Sequence, residues 1–528
     1  MARAGLKAYK PPVPMSDTAT PAAPAAAQPE YTELQRWLTL MTVTLATALY
    51  AMTVTIANVA LPKMQGTFGA TQDEIAWVVT FNIIATAVMT PATGWLAEKV
   101  GRRNIMVWGI AFFTLVSAGC GLAQSLEQLV FFRILQGLAG APLVPVSQAI
   151  VMTIFPRERH GTALAVWGIG VTIGPIIAPT LGGYITEIYN WRWIFFLLVP
   201  VGVVAFLCAA AFVRRRARRH PTTLDWTGFI ALSLAIAALQ LMLDRGERLG
   251  WFNHHEIVLE AFVACLAFYV FVVHILTTDR PFLKPRILTN RNFAIGLSLT
   301  FVFGLLNFTP MVLFPSLLQG LRGYPDGVIG YLLAMRGLGS LCGFLFIMFY
   351  GQRIDPRLLL LAGFVIQGAS GLAMAQFDIN LTTFGVAWTS MLQGFGVGLI
   401  WVPLSIATFW TLETRDMTEG TALFHLLRNV GSSIHISLSV ALVIHTASMS
   451  YSELSNFANP FNAALDRATS EGPWSLEGGT GMAALVQEIT RQAQMIGYVN
   501  AFYFFAATAF VCIPLLLFVR KPTAATAG

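Results

Sequence analysis

Charge is what this sequence has least of. Only 11% of its 528 residues are Asp, Glu, Lys or Arg, against about a quarter in a soluble globular protein. So few charges cannot cover a water-facing surface, which excludes a soluble enzyme or binding module. Cysteine is scarce as well. Cys120, Cys208, Cys265, Cys342 and Cys512 each lie inside an apolar stretch, with no spacing typical of a metal site. They read as small core residues, and neither a metal nor a cofactor is expected. Carboxylates are missing from the middle of the central apolar stretches; Glu260 and Glu419 come nearest and sit close to span ends. The first 35 residues, rich in Ala and Pro, lack the apolar centre of a secretory leader. They read as a disordered tail with no anchoring role.

Apolar surface is what the chain has in excess, with 56% hydrophobic residues and a mean hydropathy of +0.66. Some 20 apolar residues cross a bilayer as a helix, and stretches of that length recur from Trp37 to Val519. Cutting them at Gly, Pro and charged residues predicts fourteen spans, the first over 37–61 and the last over 497–519. The net charge of +7 would suggest nucleic acid in a soluble protein, but its placement argues otherwise. Of the 33 Lys and Arg, 23 fall on the side that holds both tails, including Arg214, Arg215, Arg216, Arg218 and Arg219. Seven fall on the other side, and Arg133, Arg336 and Arg428 lie within spans. This asymmetry predicts both termini in the cytoplasm. The basic runs are then topology signals, and no nucleic acid is expected as a partner.

The chain also repeats itself. Leu135-Gln136-Gly137 in helix 4 returns as Leu392-Gln393-Gly394 in helix 12, and Gly161-Thr162-Ala163-Leu164 returns as Gly420-Thr421-Ala422-Leu423 at the start of helix 13. The offsets, 257 and 259 residues, nearly agree. They predict a cytoplasmic tail over 1–36, a six-helix half over 37–213, and a basic linker with two inserted helices over 214–290. A second six-helix half follows over 291–520 with a periplasmic loop at 447–496, then a tail at 521–528. Two like-oriented halves suit a substrate site at the midplane and rocking around it, which favours a secondary transporter.

The turn between helices 2 and 3 reads Gly94-Trp95-Leu96-Ala97-Glu98-Lys99-Val100-Gly101-Arg102-Arg103. Its glycines permit a tight turn and close helix approach, and Glu98 with Arg102 and Arg103 can make contacts that break when the halves move. Here the sequence resembles the major facilitator superfamily, whose signature loop carries an acid and paired basic residues at this spacing. The resemblance continues through Arg133-Ile134-Leu135-Gln136-Gly137 in helix 4. It also includes the helix 5 antiporter motif, here Gly170, Gly174, Pro175, Pro179, Gly182 and Gly183. Trp191-Arg192-Trp193, Leu239 to Gly246, and Asn290-Arg291-Asn292-Phe293 resemble the fourteen-helix drug:proton antiporter branch, the EmrB/QacA-like multidrug efflux permeases. The match runs from about residue 37 to 519.

The resemblance implies export of amphipathic, often toxic compounds across the inner membrane, driven by inward proton flow. It also implies an EmrA-like periplasmic adaptor and an outer-membrane channel as partners, with membrane lipid around the spans. One departure matters. Helix 1 ends in Thr55-Ile56-Ala57-Asn58 as the family pattern does, yet Thr53 stands where that family usually has an Asp. Threonine cannot titrate, so a proton carrier must be sought elsewhere, or transport is not proton-coupled. An exchanger or facilitator is the alternative. A membrane-embedded enzyme is the rival from another class, but the chain has no His-Glu-x-x-His and no Gly-x-Ser-x-Gly.

The polar groups within spans are the candidate site. Arg133 costs at least about 2.5 kcal/mol at a membrane centre, so it must face a cavity or a partner. At 100° per residue, His425, Arg428, Asn429, Ser432 and His435 fall within an arc of about 120° on helix 13. Histidine titrates near physiological pH, which makes His425 and His435 the substitute proton carriers. Asn58, Asn82, Gln136 and Asn307 are further candidates for the cavity wall. Apolar residues from Met482 to Met495 have helical spacing and read as a helix lying on the membrane surface or meeting an adaptor.

Overall fold

A computed structural model describes residues 31–215, 223–278, 281–459 and 479–518. Fourteen helices among them are long and apolar enough to cross a membrane. The first half holds α1 (Glu33–Phe68), α2 (Gln72–Val100), α3 (Arg102–Leu122), α4 (Leu126–Ile154), α5 (His160–Ile188) and α6 (Trp193–Phe212). Two inserted helices follow, α7 (Trp226–Arg245) and α8 (His255–Thr277). The second half holds α9 (Arg291–Arg322), α10 (Asp326–Tyr350), α11 (Pro356–Met374), α12 (Thr383–Phe409), α13 (Met417–Asn456) and α14 (Gly479–Val511). Helices are the form the bilayer demands, since each backbone N–H and C=O must be satisfied within its own segment. Thr32 with Gln35 and Thr71 with Glu74 form capping boxes that start α1 and α2.

Two spans are interrupted. α4 breaks between Gly140 and Leu143, and α9 breaks at Phe308 ahead of Pro310. At the α4 break, a Cβ on Gly140 would stand 2.3 Å from the Tyr50 ring, so glycine there admits the α1 tyrosine. Of the tail expected over 1–36, residues 1–30 lie outside the described residues and Glu33–Arg36 already belong to α1; the tail expected over 521–528 and the middle of the far loop, 460–478, lie outside them too.

The far loop differs from expectation. α13 runs on to Asn456 and α14 begins at Gly479, so the apolar spacing at Met482–Met495 belongs to α14 and not to a separate helix on the membrane surface. α14 packs closely on α13 where the two leave the expected spans, and the extension of α14 is itself partly buried. A Cβ at Gly497 would stand 2.5 Å from the Val443 carbonyl, and Leu485, Ala493 and Met495 are buried. A helix of 40 residues is about 60 Å long, roughly twice the hydrocarbon thickness, so α13 projects from one end of the bundle.

The internal repeat reappears as geometry. A Cβ on Gly137 would lie 2.5 Å from the Asn82 carbonyl of α2, and one on Gly394 would lie 1.8 Å from the Arg336 carbonyl of α10. In each half the fourth helix thus packs backbone to backbone on the second, as small residues allow where van der Waals contact drives association. Gly394→Ala is expected to destabilise by about 1–3 kcal/mol, the usual cost of overpacking. Gly320→Ala, where a Cβ meets nothing within 4 Å, should be neutral. Thermal unfolding of both variants in detergent checks this, and equal midpoints would refute the packing role.

Candidate functional site

The halves meet through polar side chains gathered at the end that carries the basic loops. Gln148 of α4, fully buried, donates from Nε2 to Ser405 Oγ of α12 at 3.1 Å. Its Oε1 faces Nε2 of His425 on α13 at 2.8 Å. With the amide nitrogen directed at Ser405, Oε1 is the acceptor and His425 Nε2 carries the hydrogen. One side chain of the first half therefore holds two helices of the second. Thr421 adds a donor bond to the Pro145 carbonyl at 3.0 Å. Aromatic rings close the same seam: Trp167 of α5 stacks on Trp401 of α12 with centroids 6.1 Å apart, and His425 stands edge-on to Trp167.

Nearer the loops lies the Gly94–Arg103 turn. Gly101 takes a φ of 89°, a left-handed conformation that favours glycine. Gly94 packs against Glu419, whose Cα and Cβ would each be 3.0 Å from an added Cβ. Arg102 donates to Thr418 Oγ1 at 2.7 Å and to the Thr414 carbonyl at 3.1 Å, both in the second half. Arg103 instead binds the Val213 and Ala210 carbonyls of its own half. Glu98 reaches Nζ of Lys284 at 2.9 Å, and that lysine also lies 3.5 Å from Glu419. The Lys284 backbone N–H donates to Glu419 Oε1 at 2.6 Å. Lys284 was not singled out by sequence, because only the fold brings residue 284 beside 98 and 419.

The arginines within the spans divide by role. Arg133 donates from Nε to the Val78 carbonyl at 2.9 Å and from Nη1 to Gln136 at 2.7 Å, while Asn82 donates to the Arg133 carbonyl at 2.7 Å. Arg133, Gln136 and Asn82 thus fasten α2 to α4 within the first half. Arg336 does the same in the second half. It binds Gln393 at 2.7 Å and the Asn307 carbonyl and side-chain oxygens at 2.6 and 2.9 Å, which braces the α9 break. Arg428 is different. It lies over the Trp401 ring at 5.2 Å, its hydrogen bonds go to the neighbouring Asn429, and no carboxylate pairs with it among the described residues. Tyr50, whose hydroxyl donates to Thr86 at 3.1 Å, is within electrostatic reach of Arg428.

The polar face of α13 does not stay together. His425 turns to the seam between halves, Ser432 donates to the Gly304 carbonyl at 2.9 Å, and His435 is packed inside the second half. His435 Nδ1 faces Thr309 Oγ1 at 2.7 Å, and its ring stacks on Phe504 with centroids 4.7 Å apart. Thr53 is buried and donates to the Leu49 carbonyl at 3.0 Å, whereas Asn58 is exposed. Gly170, Gly174 and Gly182 admit Thr44, Met52 and Ile56 of α1. The helix 5 motif therefore packs α5 onto α1, with Pro175 and Gly183 in the same continuous helix; the side chain of Pro179 lies outside the described residues.

Two six-helix halves joined at one end define a two-half membrane transporter fold. The chain belongs to the Major Facilitator Superfamily, whose family pattern matches residues 43–436. Among its relatives it is 32% identical to multidrug export protein EmrB of Escherichia coli K12, covering 93% of this chain and 97% of that one. It is 30% identical to fatty acid resistance protein FarB of Neisseria gonorrhoeae, covering 92% and 96%. Crystal structures of the human organic anion transporter MFSD10 and of a double-Trp XylE mutant share the fold at a TM-score of 0.60 and 12% identity. They cover 91% and 93% of this chain and 99% and 97% of their own.

The Lys284 contact yields a prediction. Burial alone would lower its pKa, but Glu419 and Glu98 outweigh that and hold it above the usual lysine value. A raised lysine contributes fully below its unfolded pKa and loses that contribution only as pH rises through the folded one, so Lys284 itself keeps its charge throughout the neutral range. Lys284→Met should loosen this end, seen as a broader electron-paramagnetic distance distribution between spin labels on 157 and 413. A distribution as narrow as that of the unsubstituted chain would remove Lys284 from the latch.

Proposed function

We propose that this chain is a secondary active exporter of amphipathic organic compounds, working by alternating access between its halves and powered by proton antiport. The single observation that carries this reading is the seam: the halves are clasped at one end around Gln148, His425 and Ser405. Arg428 and Asn429 lie one turn of α13 further in, beside Trp401 and Tyr50. An aromatic floor beside one guanidinium without a carboxylate partner suits a substrate with an apolar body and an anionic head. Such a substrate supplies in passing the counter-charge that the described residues do not. The names of the relatives, multidrug export and fatty acid resistance, point the same way.

The distribution of Lys and Arg supports a cytoplasmic location for the clasped end and for both termini, in an inner membrane. The clasped arrangement is then the one closed towards the cytoplasm. The EmrB branch supports a periplasmic adaptor and an outer-membrane channel as partners. For coupling, Thr53 cannot titrate, and His435 is enclosed by hydroxyls and rings of its own half. His425 is a titratable group in the buried clasp around Gln148, and its Nδ1 makes no hydrogen bond, so gain or loss of a proton there is tied to whether the clasp is made.

Proteoliposomes test the proposal. With an imposed pH gradient, adding an amphiphile whose anionic head stays ionised, such as an alkyl sulfate, should evoke movement of both substrate and protons beyond that in protein-free vesicles. His425→Gln should abolish the proton movement while leaving substrate binding. Substrate movement without protons in the unsubstituted chain would assign an exchanger or facilitator instead.

A further inference from the structure

The two seams between the halves are not alike. On α10, residues 330, 337 and 344 recur every seven positions and share one face. At the clasped end Phe344 fills the space at Gly168 of α5, where a Cβ would stand 2.8 Å from its ring. At Gly337 a Cβ would meet Ile176 of α5 at 1.9 Å. At Gly330, some 10 Å further along the helix by its rise per residue, a Cβ meets nothing within 4 Å. The α5–α10 seam therefore widens towards the end away from the basic loops.

The α2–α13 seam starts equally tight, with Gly94 against Glu419, but there an inserted helix fills the widening. The Thr80 hydroxyl of α2 donates to Asp244 of α7 at 2.6 Å, and Ser437 of α13 donates to the Leu243 carbonyl of α7 at 2.8 Å. Deeper, Leu232 and Ile236 of α7 pack with Ala87 of α2 and Leu426 of α13. One helix thus bridges both halves and covers that opening. On the other side nothing in the chain does so among the described residues. The flanks there, Ile173, Ile177 and Leu181 of α5 with Tyr331 and Leu338 of α10, are exposed and apolar, so the bilayer itself borders the mouth.

We propose that the α5–α10 widening is the passage by which the alkyl chain of a transported amphiphile exchanges with the leaflet away from the basic loops, its anionic head facing Arg428. The inserted pair α7–α8 makes this exchange one-sided. The inference rests on the export reading above.

The test uses dibrominated stearate on the full chain with its five cysteines changed to serine and Gly330→Cys labelled with bimane. Dibrominated stearate should quench this label, and plain stearate should compete the quenching away. Gly330→Trp should cut stearate flux about tenfold, whereas Leu266→Trp on the exposed face of α8 should leave it unchanged. Quenching by brominated phospholipid alone, without competition, would mean a resident lipid and would overturn the passage, as would no quenching at all. Competed quenching with no flux in the unsubstituted chain would overturn the export reading and leave the passage standing. Flux without competed quenching would do the reverse.

Discussion

The contact on which this molecule turns is a single buried amide. Gln148 spends both its polar atoms across the seam between halves, one on Ser405 and one on His425. In the low dielectric of a membrane interior, an unmatched amide carries the full cost of desolvation, about 1–3 kcal/mol on mutational scales. The clasp is therefore worth keeping closed, yet its few bonds can be replaced by water or substrate. A wholly apolar seam would close as well but would have no polar group to exchange when it opens. Thr421 on the Pro145 carbonyl and Arg102 on Thr418 extend the same principle towards the loops.

Around this movable seam, each half is made stiff. Arg133 with Gln136 and Asn82, and Arg336 with Gln393 and Asn307, bind helices within a half through charge-assisted bonds. Close glycine contacts on α4 and α12 add packing that a methyl group would break. Rigid halves and a weak polar seam are the physical condition for rocking, since motion then concentrates where the bonds are few. Lys284 belongs to neither half. It reaches Glu98 and Glu419 together, so the segment after the inserted helices straps the seam from outside.

Among the described residues, Arg428 is the mid-span arginine not employed in this stiffening. Its nearest polar partner is a neighbour on its own helix, and the Trp401 ring takes part of its charge. Arg428 is thus the charge left to meet the anionic head of the substrate proposed above.

Composition and run length together decide a great deal: with 11% charged residues and 56% hydrophobic ones, gathered in stretches of about 20, the chain spans a bilayer as helices, each of which satisfies its own backbone. Span lengths and the Leu-Gln-Gly repeat made the fourteen-helix, two-half plan legible, because both depend on local period and spacing. The polar residues Arg133, Gln136 and Asn82 were legible as important for the same reason, since a charge in an apolar run always stands out. Their partners were not. Period along one helix places His425, Arg428 and His435 on a common face, but which neighbour each meets depends on helices hundreds of residues away. Only the tertiary structure turned His425 to the seam and His435 into the second half. Only it set Lys284 between two distant carboxylates and laid α7 across one opening and not the other, because contacts between helices depend on crossing positions that no single-helix pattern contains.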